Sequence, residues 1–517
     1  LELFAKIAEK NAEKKIIGRL MQNSKLWNAG MFDASNSDWM GTLLSPNQEL
    51  RQNLKVLKQR ARYLYQNTPV VFSAVRKAQQ FVKPITLASK VTTSRNGFNI
   101  KANKTIEESW ADFCKMGNFE VSGKFSLNDC IDQMLIQLFV DGEILLRKVM
   151  GRGKYGFQIQ LLNTDQLVIE THNSLSGPYQ MSIEYDEFDK PTKYFILNKL
   201  PTEGGSMGTG ATGATPIPFA PEEIIHAYLP HAVKAGRGVP LIAASMSKIE
   251  ALDSYDNAVA VAAKMAACTS VTYEQLGLDD EPYEGAAAQG PAMLPGVSQT
   301  GLTPGMAEAL PPGVKKVLLT PNQPTQSYSE YTKSGKKDIS TGIGWSYNTL
   351  YSDIEDPSFS GMKSAHTQDR TFIGEIQRFL VEKVLDVIFS DFIDNACALG
   401  KIKLPAGPDG YESYKAHAFV GAGYPFIDRL KDTQADIADL DAGLSTFSDI
   451  LAARGKDFEE HCQTRQKDNL ILEQYGLSIT NQIPTNNPAM GKPGATPNTD
   501  EMVETEGKPS PKEPLEK

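Results

Sequence analysis

A few places in the chain carry residue types whose spacing could do chemistry. Ser245 and Lys248 stand in S-x-x-K spacing, in which a lysine base can activate a serine nucleophile. No S-D-N or K-T-G partner motif follows, and the pair falls within a long helical stretch. A serine hydrolase is therefore the rival reading, and the structural one is favoured. Gly151-Arg-Gly-Lys-Tyr-Gly156 matches the G-x-G-x-x-G of dinucleotide sites, but that cradle needs a helix after it, and here a strand follows. A β-turn is expected instead. Residues 117–126 resemble a phosphate loop, yet the glycine spacing is wrong and Phe125 stands where Ser or Thr is required. Asp141-Gly-Glu143 offers paired carboxylates of the kind glycosidases use, and reads more simply as a turn entering a strand.

Other clusters are weaker. The six histidines (172, 226, 231, 366, 417 and 461) show no zinc spacing and are expected to be structural. The cysteines at 114, 130, 268, 397 and 462 form no C-x-x-C, which suggests buried thiols in a reducing compartment. Arg51, Lys55, Lys58, Arg60 and Arg62 make one helix basic; that face could touch nucleic acid, and a solvated or subunit-contact face is at least as good a reading. No catalytic residue, metal or cofactor is expected. The net charge of −9 argues against a protein that grips DNA by neutralising phosphates, and suits a surface past which DNA slides as well as it suits plain solubility.

The elements that would hold these residues are mostly helical. With 517 residues and 41% hydrophobic content, about three to four structural units are expected at ~100–200 residues each. No apolar run approaches the ~20 residues of a membrane span. Residues 1–21 read as an amphipathic helix, as do residues 49–65, which stop at Asn-Thr-Pro. Helices are expected at 107–115 and 127–140, the second capped by Ser126. Two hairpins follow, 143–150 with 157–162 and 180–185 with 193–197, giving an α+β region. The Gly-rich stretch 204–213 is expected to be a flexible excursion. Residues 240–268 read as one long helix opened by Pro240, ~43 Å at 1.5 Å per residue, with a stripe of Ile242, Met246, Ile249, Leu252, Val259, Ala263 and Ala266. Residues 269–326 are Pro- and Gly-rich and expected to have little regular structure. Residues 328–343 form a shorter helix, 347–361 an acidic loop, 362–398 a long helix and 428–476 a helical region with a capping box at Asp457 and Glu460. The Pro/Gly/Thr/Asn-rich end is expected to be disordered.

Taken in order, several fragments resemble the lambda-type tailed-bacteriophage portal family, the head-tail connectors. They are Tyr63-Leu-Tyr-Gln-Asn-Thr-Pro69, Ile106-Glu-Glu-Ser-Trp110, Asp141-Gly-Glu-Ile144, Arg237-Gly-Val-Pro240, Leu310-Pro-Pro-Gly313, Gly342-Ile-Gly-Trp-Ser-Tyr347 and Gly455-Lys-Asp-Phe-Glu-Glu460. The likeness runs over roughly residues 50–477. It departs at Lys83-Pro84, where relatives have a Gly-containing turn, and at the Gly-rich stretch.

The resemblance implies a mainly helical α+β portal fold. An N-terminal helical segment (1–49) leads to a wing (50–239), a stem helix (240–268), a clip (269–326), a second stem helix (327–346) and a tunnel loop (347–361). A long helix and wing return (362–427), a crown (428–476) and a flexible tail (477–517) complete it. The implied function is structural: a homododecameric ring at one capsid vertex, not an enzyme, through which double-stranded DNA is packaged and ejected. Implied partners are the terminase large subunit, major capsid and scaffold proteins, and head-completion or tail connector proteins, with no membrane. The implied location is the virion, after assembly in the host cytoplasm. The implied channel residues are Tyr351, Asp353, Glu355, Asp356, Phe359, Lys363 and Arg370 in and after the tunnel loop. Ile249, Asp253, Asp256, Lys264, Lys333 and Lys336 are the corresponding stem candidates. Another oligomeric capsid scaffold is the second alternative.

Overall fold

Ser45 and Pro46 open the first helix, α1 (Pro46–Asn67), where Ser45 and Gln48 cap each other reciprocally. Thr68 breaks it with extended backbone, as a residue before proline must, and Pro69 opens α2 (Pro69–Val82). The computed structural model describes residues 44–92, 99–169, 179–200, 215–267, 270–275, 314–319, 328–353, 359–403, 410–421, 423 and 429–474. The expected helix at 1–21, the Gly-rich stretch 204–213, Glu355, Asp356 and the tail beyond 474 lie outside these residues. Residues 1–456 and 457–517 are two separate compact units.

In the first unit, β1 (Thr86–Ser89) leaves α2. Helix α3 (Ile100–Phe113) begins earlier than the sequence suggested, because Asn99 caps it by accepting from the Ala102 N–H. Ser126 and Asp129 cap α4 (Leu127–Ile136), which widens into a π turn at Gln137–Asp141 and stops at Gly142, whose φ is +85°. The first expected hairpin is present as β2 (Glu143–Met150) and β3 (Phe157–Leu161). The glycines of its connecting turn, 151, 153 and 156, all have positive φ, so the G-x-G-x-x-G run is a hairpin turn. The second expected hairpin is finer than anticipated. Positive φ at Met181 and Ser182 splits the 180–185 run into β4 (Tyr179–Gln180) and β5 (Ile183–Tyr185). With β6 (Pro191–Leu197) and β7 (Pro216–Phe219) these form a four-stranded antiparallel sheet, while β8 (Ile224–Tyr228) joins β2 in a three-stranded one, order β3-β2-β8.

Pro240 does not open the long helix. A single 3-10 turn at Ala243–Ser245 precedes α5 (Met246–Ala267), which is shorter than expected. The expected structureless insert is bounded by a strand pair, β9 (Ser270–Gln275) antiparallel to β10 (Val314–Leu319), so its two ends are regular. Helix α6 (Tyr328–Ile343) has the expected bounds. The expected loop 347–361 contains a helix at each end: α7 (Tyr347–Tyr351), capped by Ser346, and the start of α8 (Phe359–Leu380). The second long helix is not continuous either. A π turn at Val381–Leu385 separates α8 from α9 (Asp386–Ala398). Buried residues recur at 376, 380, 384, 388, 392 and 396. Steps of four overshoot a 3.6-residue turn, so an uninterrupted helix would rotate this row out of the core; the widened turn takes up part of the drift. The chain then returns as β11 (His417–Val420), antiparallel to β1. The expected helical region 428–476 begins as two helices, α10 (Arg429–Asp441) and α11 (Phe447–Ala453), separated near Gly443, whose φ is +70°.

The main core packs α2, α3, α4, β2, β3 and α8–α9 around Trp110, which contacts Phe113, Phe389, Phe392 and Phe419. In the second unit, Asp457 caps α12 (Phe458–Gln474) by accepting from the Glu459 and Glu460 N–H groups. That helix has no buried residue, so Cys462 is exposed, against the expectation of buried thiols; Cys130 and Cys397 are buried. Among the described residues no helix is long and apolar enough to cross a membrane.

Candidate functional site

Helices α5 and α6 run antiparallel. Ser245 at the base of α5 donates to the Ile339 carbonyl (3.1 Å), Lys248 faces Asp338 (3.4 Å), and Tyr328 donates to Asp256 (2.8 Å) further along. This geometry removes the serine-nucleophile reading: Ser245 is buried against a backbone carbonyl and Lys248 is engaged with a carboxylate. The bases of both helices join the main core through Met246, Ile249, Leu252, Ile339 and Ile343. Beyond Leu252 the pair is largely exposed, with Val261 55% and Tyr331 53% accessible.

Immediately after α6, the chain is fastened in place. Gly344 (φ +99°) sits against the Phe372 ring, and Trp345 is buried between Phe81 and Phe372. Asp369 of α8, itself buried, accepts from the Ser346 N–H (2.8 Å), the Ser346 hydroxyl (2.7 Å) and the Thr349 hydroxyl. At the other end of α7, Lys77 of α2 donates to the Thr349 carbonyl and to the Ser352 hydroxyl (3.1 Å), and Ser73 donates to the Leu350 carbonyl (3.3 Å). The groups met at both ends are those a helix terminus leaves without an intrahelical partner.

The expected channel residues divide around this anchor. Asp353 accepts from the Tyr347 hydroxyl (2.6 Å). Tyr351 ends α7 with Lys336 over its ring (5.6 Å), and burial pushes its phenol pKa up. Phe359 opens α8. Lys363 faces Asp432 of α10 (3.8 Å), and it shares a cleft of about 490 Å³ with Arg370, Asp436, Asp449 and Arg454, so both cations lie towards α10–α11. Of the stem candidates, Ile249 is a core residue, Lys264 and Lys333 are exposed, and Asp253 accepts weakly from Asn257 (3.3 Å). Ile249, Asp253, Asp256, Lys336 and Tyr351 meet at one cavity of about 430 Å³, roofed by Thr68, Val70 and Ser73 at the α1–α2 corner. Sequence reasoning placed these residues in two separate groups; the fold brings them together.

A second cluster was not foreseen. Glu143, fully buried at the start of β2, accepts from Lys58 (2.6 Å), from the Arg237 guanidinium at both oxygens (2.7 and 2.5 Å) and pairs with His226 Nε2 (3.0 Å). Arg237 also donates to the Leu167 and Met181 carbonyls. Two residues away, Asp141 takes Arg62 (2.8 Å) and Thr164 (2.9 Å), and Arg62 reaches on to Asp165. Lys58 of the basic helix therefore points inward, and half-buried Arg62 is taken up by Asp141 and Asp165, whereas Arg51, Lys55 and Arg60 occupy exposed positions. The sequence did hold a signal: Lys58 falls in the buried Leu50, Leu54, Ala61, Leu64 row, where a cation demands a buried acid.

Burial alone would raise the Glu143 carboxyl pKa; the Arg237 and Lys58 charges, with hydrogen bonds from Arg237 and His226, override it and hold the carboxyl well below its ordinary range. Burial lowers the His226 pKa, against the opposing pull of Glu143. The signs add. As pH falls below about 6.5, the unfolded imidazole binds a proton that the folded one resists, so stability declines. Below about 4.3 the unfolded Glu143 carboxyl protonates ahead of the folded one and stability declines again. Urea midpoints between pH 7.5 and pH 4 should fall in these two stages, and His226→Asn should flatten the upper one. A midpoint independent of pH above 5 in the native protein would contradict this.

Comparison with known proteins places these features in context. The sequence profile of the family described as "Phage portal protein, lambda family" matches residues 32–377. The chain is 24% identical over 450 residues to a probable portal protein of Halomonas phage phiHAP-1, covering 86% of each. It is 23% identical over 173 residues to portal protein B of Escherichia phage lambda, covering 32% of each. Among solved structures, a chain in the neck of an empty GTA particle computed with C6 symmetry aligns with TM-score 0.42 and 13% identity, over 78% of this chain and 94% of that one. A chain in the neck of a native GTA particle computed with C12 symmetry gives TM-score 0.40 and 12% identity, over 77% and 93%.

Proposed function

The chain belongs to the lambda family of phage portal proteins, and from that premise we propose that it is one subunit of a closed twelve-membered ring at a single capsid vertex, through which double-stranded DNA enters and leaves. The wing is residues 50–239 with the returning strand β11. Helices α5 and α6 are the stem, residues 269–326 the clip, 347–361 the tunnel segment, and 428–476 the crown. The clip faces the terminase large subunit during packaging and head-completion or tail connector proteins afterwards; the wing and crown face the major capsid and scaffold proteins. The subunit carries no chemistry of its own. The work of packaging falls to the terminase, and the mature ring resides in the virion after assembly in the host cytoplasm.

One observation carries this reading: two antiparallel helices whose bases are built into the core and whose outer halves are exposed, followed at once by a firmly anchored short helix and a long one whose second half enters the core. Exposed helix faces suit neighbours in a ring closed by head-to-tail contacts. Charge suits the channel. Each phosphate paired with a cation releases counterions and tightens binding, so a lumen that must let DNA slide does best with few exposed cations. The net charge of −9 and the acids Asp353, Glu355 and Asp356 keep sliding barriers low, while exposed Lys264 and Lys333 supply sparse phosphate contacts.

The test is deletion of residues 353–359 with a short glycine bridge. Rings should still assemble and heads should still fill, but the fraction of genome retained in filled heads should fall several-fold, because the segment, whose acids let DNA slide, also holds the duplex loosely by steric contact, and that hold against backsliding is gone. Unchanged retention would refute the role of the segment, and a chain that stays monomeric when purified at high concentration would refute the ring.

A further inference from the structure

Helix α7 is too short to hold itself. Five residues form barely one intrahelical bond, and nucleating a turn is unfavourable without support. Only Leu350 of its residues is fully buried. What fixes it is a clamp on each end. Asp369 of the long helix takes the backbone N–H and hydroxyl at Ser346 and the hydroxyl of Thr349. Lys77 and Ser73 of the wing helix α2 take the carbonyls of Thr349 and Leu350. An acid at the N-terminal end and an ammonium at the C-terminal end also oppose the helix dipole with the correct signs.

The exit from α7 is the telling point. Ser352 is left-handed (φ 54°, ψ 33°), a conformation that disfavours any residue with a Cβ other than Asn or Asp. Such a residue persists where its surroundings over-determine it. Here the Ser352 hydroxyl is held by the same Lys77 ammonium, at 3.1 Å. The chain therefore leaves α7 in a direction set by a wing residue, 275 positions away in sequence.

We propose that Lys77 and Asp369 are positioning residues for the tunnel segment, and that Lys77 ties the direction in which the chain leaves α7 at Ser352 to the position of wing helix α2. The inference rests on the channel reading given above for residues 353–359. Helices α2 and α8 share one core, so the two clamps hold the exit from α7 in a fixed orientation to the wing.

The test compares Lys77→Met, which keeps the aliphatic stem, with Lys77→Arg, which keeps a donor, in assembled rings. Amide hydrogen exchange at residues 346–353 reads the clamp, melting temperature reads the fold, and retained genome in filled heads reads the function. Lys77→Met should raise exchange at those amides by about tenfold, the order expected for losing a charged hydrogen bond. Melting should be little changed, genome retention should fall, and Lys77→Arg should restore both. Ser352→Ala, which removes only the hydroxyl, is the milder variant should Lys77→Met assemble poorly, and should raise exchange in the same direction. Exchange at 346–353 unchanged in both Lys77→Met and Ser352→Ala overturns the clamp. Exchange that rises equally in Lys77→Met and Lys77→Arg overturns the ammonium's role in favour of simple packing. Raised exchange with unchanged genome retention leaves the clamp standing and overturns the channel reading of residues 353–359.

Discussion

Glu143→Ala should destabilise the protein by about 3–5 kcal/mol, the cost of stripping one partner from a buried ion cluster and leaving the others unpaired. Lys58 and Arg237 are at most 2% exposed, and both aim at the Glu143 carboxylate. Without it, Arg237 stays charged and unpaired where water does not reach, Lys58, whose pKa burial already lowers, loses the charge that kept it protonated, and His226 loses its partner as well. Net stabilities of folded domains are only about 5–15 kcal/mol, so the loss is a large share of the total. Glu143→Gln should cost nearly as much. It keeps the shape but removes the charge, and its amide N–H₂ must turn towards one of the donors. Urea denaturation at pH 7.5 checks both, and a loss under about 1 kcal/mol in Glu143→Ala would show that relaxation or water entry replaces the carboxylate.

The order of neighbouring variants is a sharper check. Lys58→Met removes one of two cations and leaves Glu143 held by Arg237 and His226, so it should cost least. Arg237→Met also abandons the Leu167 and Met181 carbonyls, so it should fall between Lys58→Met and Glu143→Ala. The reverse order would mean that the cluster is organised around Arg237 and not around the acid.

Much of the helical frame was legible because its signals are local. Ser126 before Leu127 and Thr68 before Pro69 each lie next to the boundary they set. The misreadings were non-local. Pro240 looks like a helix opener, but residues 237–240 are committed to a close backbone crossing with Gly142, so the helix starts after a 3-10 turn. The acidic run after Trp345 reads as loop from composition, yet Asp369 and Lys77, distant in sequence, wind part of it into α7. The candidate site was half visible. Asp253, Asp256, Lys336 and Tyr351 were singled out, but nothing in their spacing says that one cavity joins them beneath the α1–α2 corner. Glu143 was noticed only as half of a carboxylate pair; its real partner, Arg237, lies 94 residues on. An ion pair across that separation leaves no periodic trace. The one local clue is a lysine in an apolar row.

Gly238→Ala should be nearly as damaging as the loss of Glu143, for a steric reason that feeds into the same cluster. A Cβ at 238 would lie 2.0 Å from the Gly142 carbonyl oxygen and 2.7 Å from the Tyr228 Cβ. Gly142 cannot retreat. It holds a left-handed turn, its own missing Cβ makes room for the Val239 backbone, and its neighbours Asp141 and Glu143 are pinned by Arg62, Lys58 and Arg237. The segment carrying residue 238 must therefore move, and Arg237 moves with it, out of its fork on Glu143. A cost of about 3 kcal/mol is expected, at the upper end of the overpacking range. Because the damage passes through Arg237, it should not add to that of Glu143→Ala. With the carboxylate already gone, Gly238→Ala should cost at least 1 kcal/mol less than it does alone, the coupling expected of residues sharing one network. Strict additivity in that double-mutant cycle would mean that the backbone crossing and the ion cluster are independent, and that residues 237–240 are held against Gly142 by packing at the glycines alone.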